Sequence, residues 1–241
     1  MIEGQVSSKI SPNAVSYLIQ ADPCPYVTYK SASNDTVQHC KAAVDESRPL
    51  PYKSDTFDLV ICNLNLHWAN DLNVTLSEIN RVLRPDAAIM GSIWANDSLF
   101  ELRQSLQLAE LERRGGVGNR VGPLTNGDSF SNALHTNQFK LITCDLYEKV
   151  YGYPSIFELV EDLQLSGESQ CANDFRPLHP DILMCAAGIY QSMYGDDYGI
   201  QATVRAVNFI AWKASASQDQ YIKQRGSTPK GIVQNKCANK Q

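Results

Sequence analysis

The stretch FDLVIC at residues 57–62 decides the fold class. A short, largely apolar and β-branched run of this kind is typical of a parallel strand that is buried on both faces. Over residues 70–84, apolar side chains then recur at spacings of four, three and four, which places them on one face of a helix. These side chains are Leu72, Leu76, Ile79 and Leu83. A buried strand followed by an amphipathic helix indicates an α/β fold with a parallel sheet.

The alternation of strand and helix patterns extends outward on both sides of this unit. Short apolar runs predict strands at 15–19, 37–44, 87–94, 139–151 and 204–212. Helical periodicity predicts helices behind Ser98, at 128–136, behind Pro154 and behind Pro180. Both prolines are placed in a first helical turn, where the missing amide hydrogen costs nothing. The chain therefore reads as one α/β domain with extra helices in its second half.

The helix behind Ser98 carries its own start and stop signals. Ser98 and Glu101 have the spacing of a capping box, in which both side chains accept hydrogen bonds from free amides at the helix start. Residues 113–116 read RRGG and supply positive charge and a glycine cap at the helix end. The glycine-rich residues 115–127 that follow are predicted to be the most flexible loop of the chain.

Composition excludes several classes of protein. The 241 residues are 43% hydrophobic, which is typical of a folded globular chain, and contain no apolar run long enough to cross a bilayer. The net charge of −5 argues against nucleic-acid binding, which requires clustered lysine and arginine. Charge is uneven, because the part from Lys213 onward carries +5 and the rest −10. Residues 214–241 are therefore predicted to be a mobile basic tail, for which peripheral contact with an anionic membrane is possible.

The cysteines and the N-terminus bear on the compartment. Seven scattered cysteines, an odd number and never in a CxxC spacing, indicate a reducing compartment and neither a disulfide framework nor a metal site. The first residues contain neither an apolar signal core nor an arginine-rich amphipathic stretch, so no targeting peptide is visible.

Polar side chains follow three of the predicted strands, at the end where α/β sheets bind their ligands. Asp22 follows the first strand and is either a ribose-binding acid or a helix cap. The pair Asp45 and Glu46 follows the second and is either an adenine-binding pair or a pair of solvated loop acids. The third group follows FDLVIC and comprises Asn63, Leu64, His67 and Trp68. For His67 and Trp68 the alternatives to a site are a capping or packed side chain and a core indole.

These residues also carry a family resemblance. The succession of residues 50–60 (LPYKSDTFDLV), 66–72 (LHWANDL) and 83–86 (LRPD) resembles the second half of a class I S-adenosylmethionine-dependent methyltransferase domain. A narrower resemblance, over roughly residues 15–230, is to the mitochondrial complex I assembly factor 5 family. It is carried by 100–103 (FELR), 105–110 (SLQLAE), 153–154 (YP), 157–164 (FELVEDLQ), 187–190 (AGIY) and 210–213 (IAWK).

The resemblance implies a Rossmann-like methyltransferase domain over residues 15–213, with a helical insertion at about 98–194. It implies an S-adenosylmethionine site in which Asp22 binds the ribose and Asp45 with Glu46 lies at the adenine. Asn63 and Leu64 would line the methionine side, and His67 with Trp68 the mouth of the pocket. It identifies no catalytic residue and no metal ligand.

The resemblance also implies a function. Family members are regarded as hydroxylating an arginine of an iron–sulfur subunit of mitochondrial complex I in the matrix, early in assembly of the complex. Two other functions stay open: a non-catalytic assembly or interaction protein that has lost cofactor binding, and a carboxyl or small-molecule methyltransferase. Arg103, Glu110 and Glu161 of the insertion are candidates for contact with a partner or simply solvated charges.

Residues 1–14 depart from the family pattern. The family begins with a strand and a glycine-rich turn, which lets a helix N-terminus face the cofactor. Residues 1–14 hold one glycine, Gly4, and no strand-turn-helix pattern, so this first strand is predicted to be missing. In the family it lies between the strands predicted at 15–19 and 57–62. We therefore expect these two either to expose unpaired backbone groups or to pair with each other.

Overall fold

Parallel strands form the N-terminal part of the chain and long antiparallel strands the C-terminal part. The structure is a computed structural model that describes residues 15–24, 38–45, 48–95, 97–118, 120, 124–168 and 178–218. The strands are β1 (Tyr17–Asp22), β2 (Gln38–Ala43), β3 (Phe57–Asn63), β4 (Leu83–Trp94), β5 (Phe139–Tyr153), β6 (Gly195–Asp196) and β7 (Gly199–Lys213). The helices are α1 (Leu72–Val82), α2 (Phe100–Arg114), α3 (Gly127–Thr136), α4 (Ile156–Ser166) and α5 (Pro180–Tyr194), with short 3-10 turns at Leu66–Trp68 and Ala216–Gln218.

The strands form two separate sheets. β1 and β2 pair in parallel, while β3, β4, β7 and β5 form the second sheet in that order, with β6 beside β7. β3 and β4 are parallel, and β7 runs antiparallel to both of its neighbours. β1 and β3 do not pair with each other, so that predicted alternative is wrong. Among the described residues, each of these two strands is paired on one side only; residues 1–14 lie outside them.

Two hydrophobic cores support the larger sheet. The first lies between α1, α3 and one face of β4 and β7, and includes Leu76, Ile89, Phe130 and Phe209. The second lies between α2, α4, α5 and the first half of β7, and includes Leu102, Leu159 and Tyr190. The helical insertion therefore has a core of its own, on the part of β7 that extends past its pairing with β4.

The opposite face of β3 is exposed. Val60 and Cys62 pack into the first core, but Leu59 and Ile61, which point the other way, are 44% and 42% exposed. The prediction of a strand buried on both faces is therefore wrong for the part of the chain that the structure describes. The reason is that α1 and α3 both pack on the face of β3 that carries Val60 and Cys62, whereas Leu59 and Ile61 belong to neither core.

The predicted capping box of α2 is also wrong. The helix begins after Leu99, and neither side chain binds an amide at its N-terminus. Ser98 instead bonds the backbone of Arg205, with Oγ accepting from its N–H at 2.8 Å and donating to its C=O at 2.6 Å. The carboxylate of Glu101 accepts from the N–H of Thr203 at 3.2 and 3.3 Å. The two side chains thus replace a neighbouring strand along β7.

The other helix ends follow the sequence more closely. Gly115 closes α2 in the left-handed conformation that favours glycine, with φ +67°. Pro180 occupies the first turn of α5, as predicted. Pro154 does not enter α4, because Ser155 caps that helix and accepts a hydrogen bond from the N–H of Phe157. No helix among the described residues is long and apolar enough to cross a membrane.

Candidate functional site

The acids predicted at the first two strands lie where the parallel strands end. Asp22 is the last residue of β1, and its Oδ1 accepts a hydrogen bond from the N–H of Cys24 at 2.7 Å. This bond closes a turn of the kind that aspartate side chains form locally, and Asp22 caps no described helix. A carboxylate has further acceptor positions, so one local bond leaves Asp22 able to accept from hydroxyl groups. Its predicted role at a ribose stays a prediction.

Asp45 lies two residues beyond β2 and is exposed. Its Oδ2 is 3.1 Å from Nε of Arg48, with side chains 51% and 80% exposed respectively. A pair this open to solvent contributes little to stability. Glu46, predicted beside it at the adenine, lies outside the described residues.

Ser92 of β4 holds the end of β3 in place. Its hydroxyl donates to Oδ1 of Asn63, and its carbonyl accepts from the N–H of Leu64 at 2.8 Å. Leu64 has φ +51°, a left-handed conformation that few non-glycine residues adopt. The chain therefore turns sharply as it leaves the sheet, and the turn leads into the next segment, which contains His67.

In the 3-10 turn after β3, the side chain of His67 is buried and that of Trp68 is exposed. Leu66 is 2% exposed and anchors the turn in the first core. The side chain of His67 is 5% exposed and its Nε2 lies 3.1 and 3.2 Å from the two carboxylate oxygens of Glu168. Trp68 is 43% exposed, so the alternative that it is a core residue is wrong. The imidazole lies 5.3 Å from the Trp68 ring and 6.3 Å from that of Trp94, measured between ring centroids.

The sequence did not point to Glu168 or Trp94 as members of this cluster. Glu168 follows α4 and lies 101 residues from His67, while Trp94 ends β4. The carboxyl ends of β3 and β4 meet because the strands are parallel, which was a usable signal for Trp94. Nothing local marks Glu168, since its contact depends on how the insertion folds back over the sheet.

Two buried polar atoms in this cluster have no hydrogen-bond partner within the described residues. They are Nδ1 of His67 and Nε1 of Trp94. Buried polar atoms are bonded in the great majority of cases, so such atoms mark a place where a further polar group would fit. No group of three or more metal-binding side chains occurs among the described residues.

The three charged residues of α2 and α4 that were candidates for contact with a partner differ in exposure. Glu161 is exposed and Arg103 half-buried, which leaves both available as surface charges. Glu110 is 3% exposed, so its predicted exposure is wrong. Its carboxylate accepts from the N–H of Gly118 and, at 3.0 Å, from Nε of Arg120. It therefore ties down part of the glycine-rich loop that sequence predicts to be flexible.

Comparison with known proteins places the chain in a family. A profile of the methyltransferase domain matches residues 3–90. The mitochondrial arginine-hydroxylase NDUFAF5 of Homo sapiens is 38% identical over 89% of this chain and 62% of its own length. That of Danio rerio is 38% identical over 92% of this chain and 69% of its own length. The chain belongs to the NDUFAF5 family. It thus spans less than two thirds of the human protein and slightly more than two thirds of the zebrafish one.

Solved structures agree on the fold. A crystal structure from Bacillus halodurans, provisionally named a methyltransferase, superposes with a TM-score of 0.59 at 12% identity, covering 88% of this chain and 90% of that one. At this identity the likeness concerns the fold alone. The NDUFAF5-family chain therefore has a class I methyltransferase fold, as its sequence predicts.

The family fold implies S-adenosylmethionine, and the described residues fit it in part. Asp22 offers a carboxylate at the end of β1 with acceptor capacity to spare, and the turn after β3 offers an exposed indole, that of Trp68. A glycine-rich turn facing the methionine carboxylate is not found among the described residues. The fit of the described residues to the cofactor is therefore incomplete.

Proposed function

We propose that this chain is an arginine hydroxylase that acts in the assembly of mitochondrial complex I. The observation that carries the proposal is the 38% identity to NDUFAF5 relatives over about nine tenths of the chain. Those relatives are named mitochondrial arginine-hydroxylases. The substrate we propose is an arginine on an iron–sulfur subunit or assembly intermediate of the complex, and the compartment is the mitochondrial matrix.

S-adenosylmethionine is the proposed ligand of the carboxyl ends of β1, β2 and β3. Asp22 would accept hydrogen bonds from the ribose hydroxyls, Asp45 would lie at the adenine, and Asn63 with Leu64 at the methionine. His67 and Trp68 would border the opening through which a substrate reaches the cofactor. The support is positional, because ligands of open parallel sheets bind at the carboxyl ends of the strands.

Isothermal titration with S-adenosylmethionine tests the ligand. We expect stoichiometric binding that Asp22→Ala weakens by about tenfold, the worth of one charge-assisted hydrogen bond. Asp97→Ala is the control, since Asp97 lies beyond β4 and not at the end of β1, and its 55% exposed carboxylate is 3.3 Å from Nη1 of Arg205. Equal affinities for the two variants would reject the placement of the ribose. No binding by a folded chain would instead favour a non-catalytic role in assembly.

Complementation tests the activity. The chain, fused to a mitochondrial leader, is expressed in human cells that lack NDUFAF5, and complex I is isolated. We expect recovery of assembled complex and of an arginine carrying one added oxygen atom, found by peptide mass spectrometry. Recovery of assembly without the added oxygen would assign the chain to the interaction class. Failure of both, with the chain stably expressed, would reject the proposal.

A further inference from the structure

The cluster around His67 combines the groups that recognise a guanidinium ion. Guanidinium groups bind carboxylates through planar N–H donors and stack on indole rings. Here the imidazole of His67 contacts a carboxylate, that of Glu168, and an exposed indole ring, that of Trp68. We propose that Glu168 and Trp68 form the guanidinium-binding site for the substrate arginine, and that His67 positions both. This inference rests on the proposed function.

The carboxylate of Glu168 has the charge and the free acceptor positions that a guanidinium ligand requires. It accepts from Nε2 of His67 and has acceptor positions left over, since a carboxylate offers about four. No lysine or arginine among the described residues pairs with it, so its negative charge is left for a cationic ligand. Its side chain is 15% exposed, which weakens competition from water while leaving an approach.

His67 serves as the positioning residue. Because the Glu168 carboxylate can only accept, the proton of the imidazole must lie on Nε2. In the neutral imidazole, Nδ1, which is buried without a partner among the described residues, then carries a lone pair and not an unmet N–H. Leaving a donor unmet in the interior costs more than leaving a lone pair unmet. Burial and the carboxylate therefore select the same tautomer and fix the ring against Trp68.

The location suits a protein substrate. His67 and Trp68 follow β3 directly, at the end of the sheet where the cofactor is proposed to bind. Glu168 comes from the other direction, from the end of α4 in the helical insertion. An arginine side chain bound by Trp68 and Glu168 would therefore lie between the end of the sheet and the insertion. The insertion thus contributes directly to the site and does more than cover it.

Binding of a small probe tests the assignment without requiring turnover. The probe is N-acetyl-L-arginine methylamide, with the corresponding lysine derivative as its control, titrated into the full chain while indole N–H signals are followed by NMR. We expect the arginine probe to shift the Trp68 signal and the lysine probe to bind at least several-fold more weakly, since it can neither stack nor bind in a bidentate way. Equal binding of both probes would overturn the inference.

Single substitutions separate the binding roles of Glu168 and Trp68 from the positioning role of His67. Glu168→Gln and Trp68→Leu should each weaken the arginine probe by about tenfold. Glu112→Gln, at a glutamate of the same insertion whose side chain is 61% exposed, should leave the affinity unchanged. His67→Gln keeps a donor near the position of Nε2 and should retain more affinity than His67→Leu, which a purely packing role would not predict. Unchanged affinity in both Glu168→Gln and Trp68→Leu would refute the site. Normal probe binding with no arginine hydroxylation would refute only the proposed function.

Discussion

The two sheets of this molecule differ in how firmly they are held. β4 and β7 are twelve and fifteen residues long, have neighbours on both sides and contribute fully buried residues to two cores. β1 and β2 are six residues each, pair only with each other among the described residues, and contain no fully buried residue. Yet the acids proposed for the cofactor follow the smaller sheet. The proposed ligand groups thus come partly from the weakly packed sheet and partly from the turn after β3 of the well-packed one.

The sharpest test of this contrast is a pair of core truncations. Phe130 is fully buried, with its ring centroid 4.8 Å from that of Phe209, so Phe130→Ala should lower the free energy of unfolding by about 3–5 kcal/mol. Ile19→Ala in β1 should cost only about 1 kcal/mol, because Ile19 is partly exposed. Urea denaturation followed by circular dichroism measures both. Similar losses of unfolding free energy in the two variants would show that the two sheets are held equally firmly.

A glycine pair sharpens the contrast within the larger sheet. A Cβ at Gly91 of β4 would overlap the carbonyl oxygen of Cys62, so Gly91→Ala must push β3 away from β4. We expect a loss of about 3 kcal/mol in the same denaturation experiment. At Gly152, on the edge strand β5, a Cβ meets nothing within 4 Å, and Gly152→Ala should change stability by less than about 0.5 kcal/mol. Tolerance of Gly91→Ala would mean that β3 is loosely held too.

The third test addresses how the insertion is joined to the larger sheet. Glu101 is 3% exposed and accepts the N–H of Thr203, so Glu101→Ala should leave that amide unmet and cost about 1–3 kcal/mol. Glu112→Ala, on the same helix but with a 61% exposed side chain, should have almost no effect. The measurement is thermal unfolding by calorimetry. Equal melting temperatures for the two variants would show that Glu101 does not join the insertion to the larger sheet.

The smallest effect concerns the segment that links the two sheets. Glu78 accepts from Arg81 and from the N–H of Leu50, and the hydrogen bond from Arg81 lowers the pKa of Glu78 below its ordinary value of 4.5. This stabilisation is present above pH 4.5 and is lost as pH falls through the folded-state pKa. Glu78→Gln should therefore cost about 1 kcal/mol at pH 7 and progressively less in acid. A loss independent of pH would contradict this origin.

Much of the fold follows from local pattern. The apolar runs predict β1 to β5 and β7, but β4 and β7 begin four and five residues earlier than predicted. The periodicity of residues 70–84 predicts α1, although Leu83 belongs to β4, because period and burial are properties of neighbouring residues. The predicted capping box was wrong because the partners of its two side chains are distant in sequence. Ser98 and Glu101 have the right spacing, but the unpaired edge of β7 offers them better-placed partners that no local pattern reveals.

The site was predicted less completely than the fold. Ligands of parallel sheets bind at the carboxyl ends of the strands, which is why Asp22, Asn63 and His67 could be named from sequence, and their roles at a cofactor stay predictions. Glu168 could not, because its contact with His67 spans 101 residues and depends on the course of the insertion. The exposed face of β3 was missed because an apolar run shows that burial is possible and does not show which elements supply it.

Hydrogen exchange with and without S-adenosylmethionine tests the proposed binding edge most directly. Without ligand, the amides of β1 and β2 should exchange through local opening, well before those of β4 and β7. With ligand at saturation, a site on the ends of β1, β2 and β3 should slow exchange in β1, β2 and the turn through Trp68, and leave β5 and the second half of β7 unchanged. Unchanged exchange in β1 and β2 under saturating ligand, or protection confined to β5 and β7, would contradict a binding site at the ends of β1, β2 and β3.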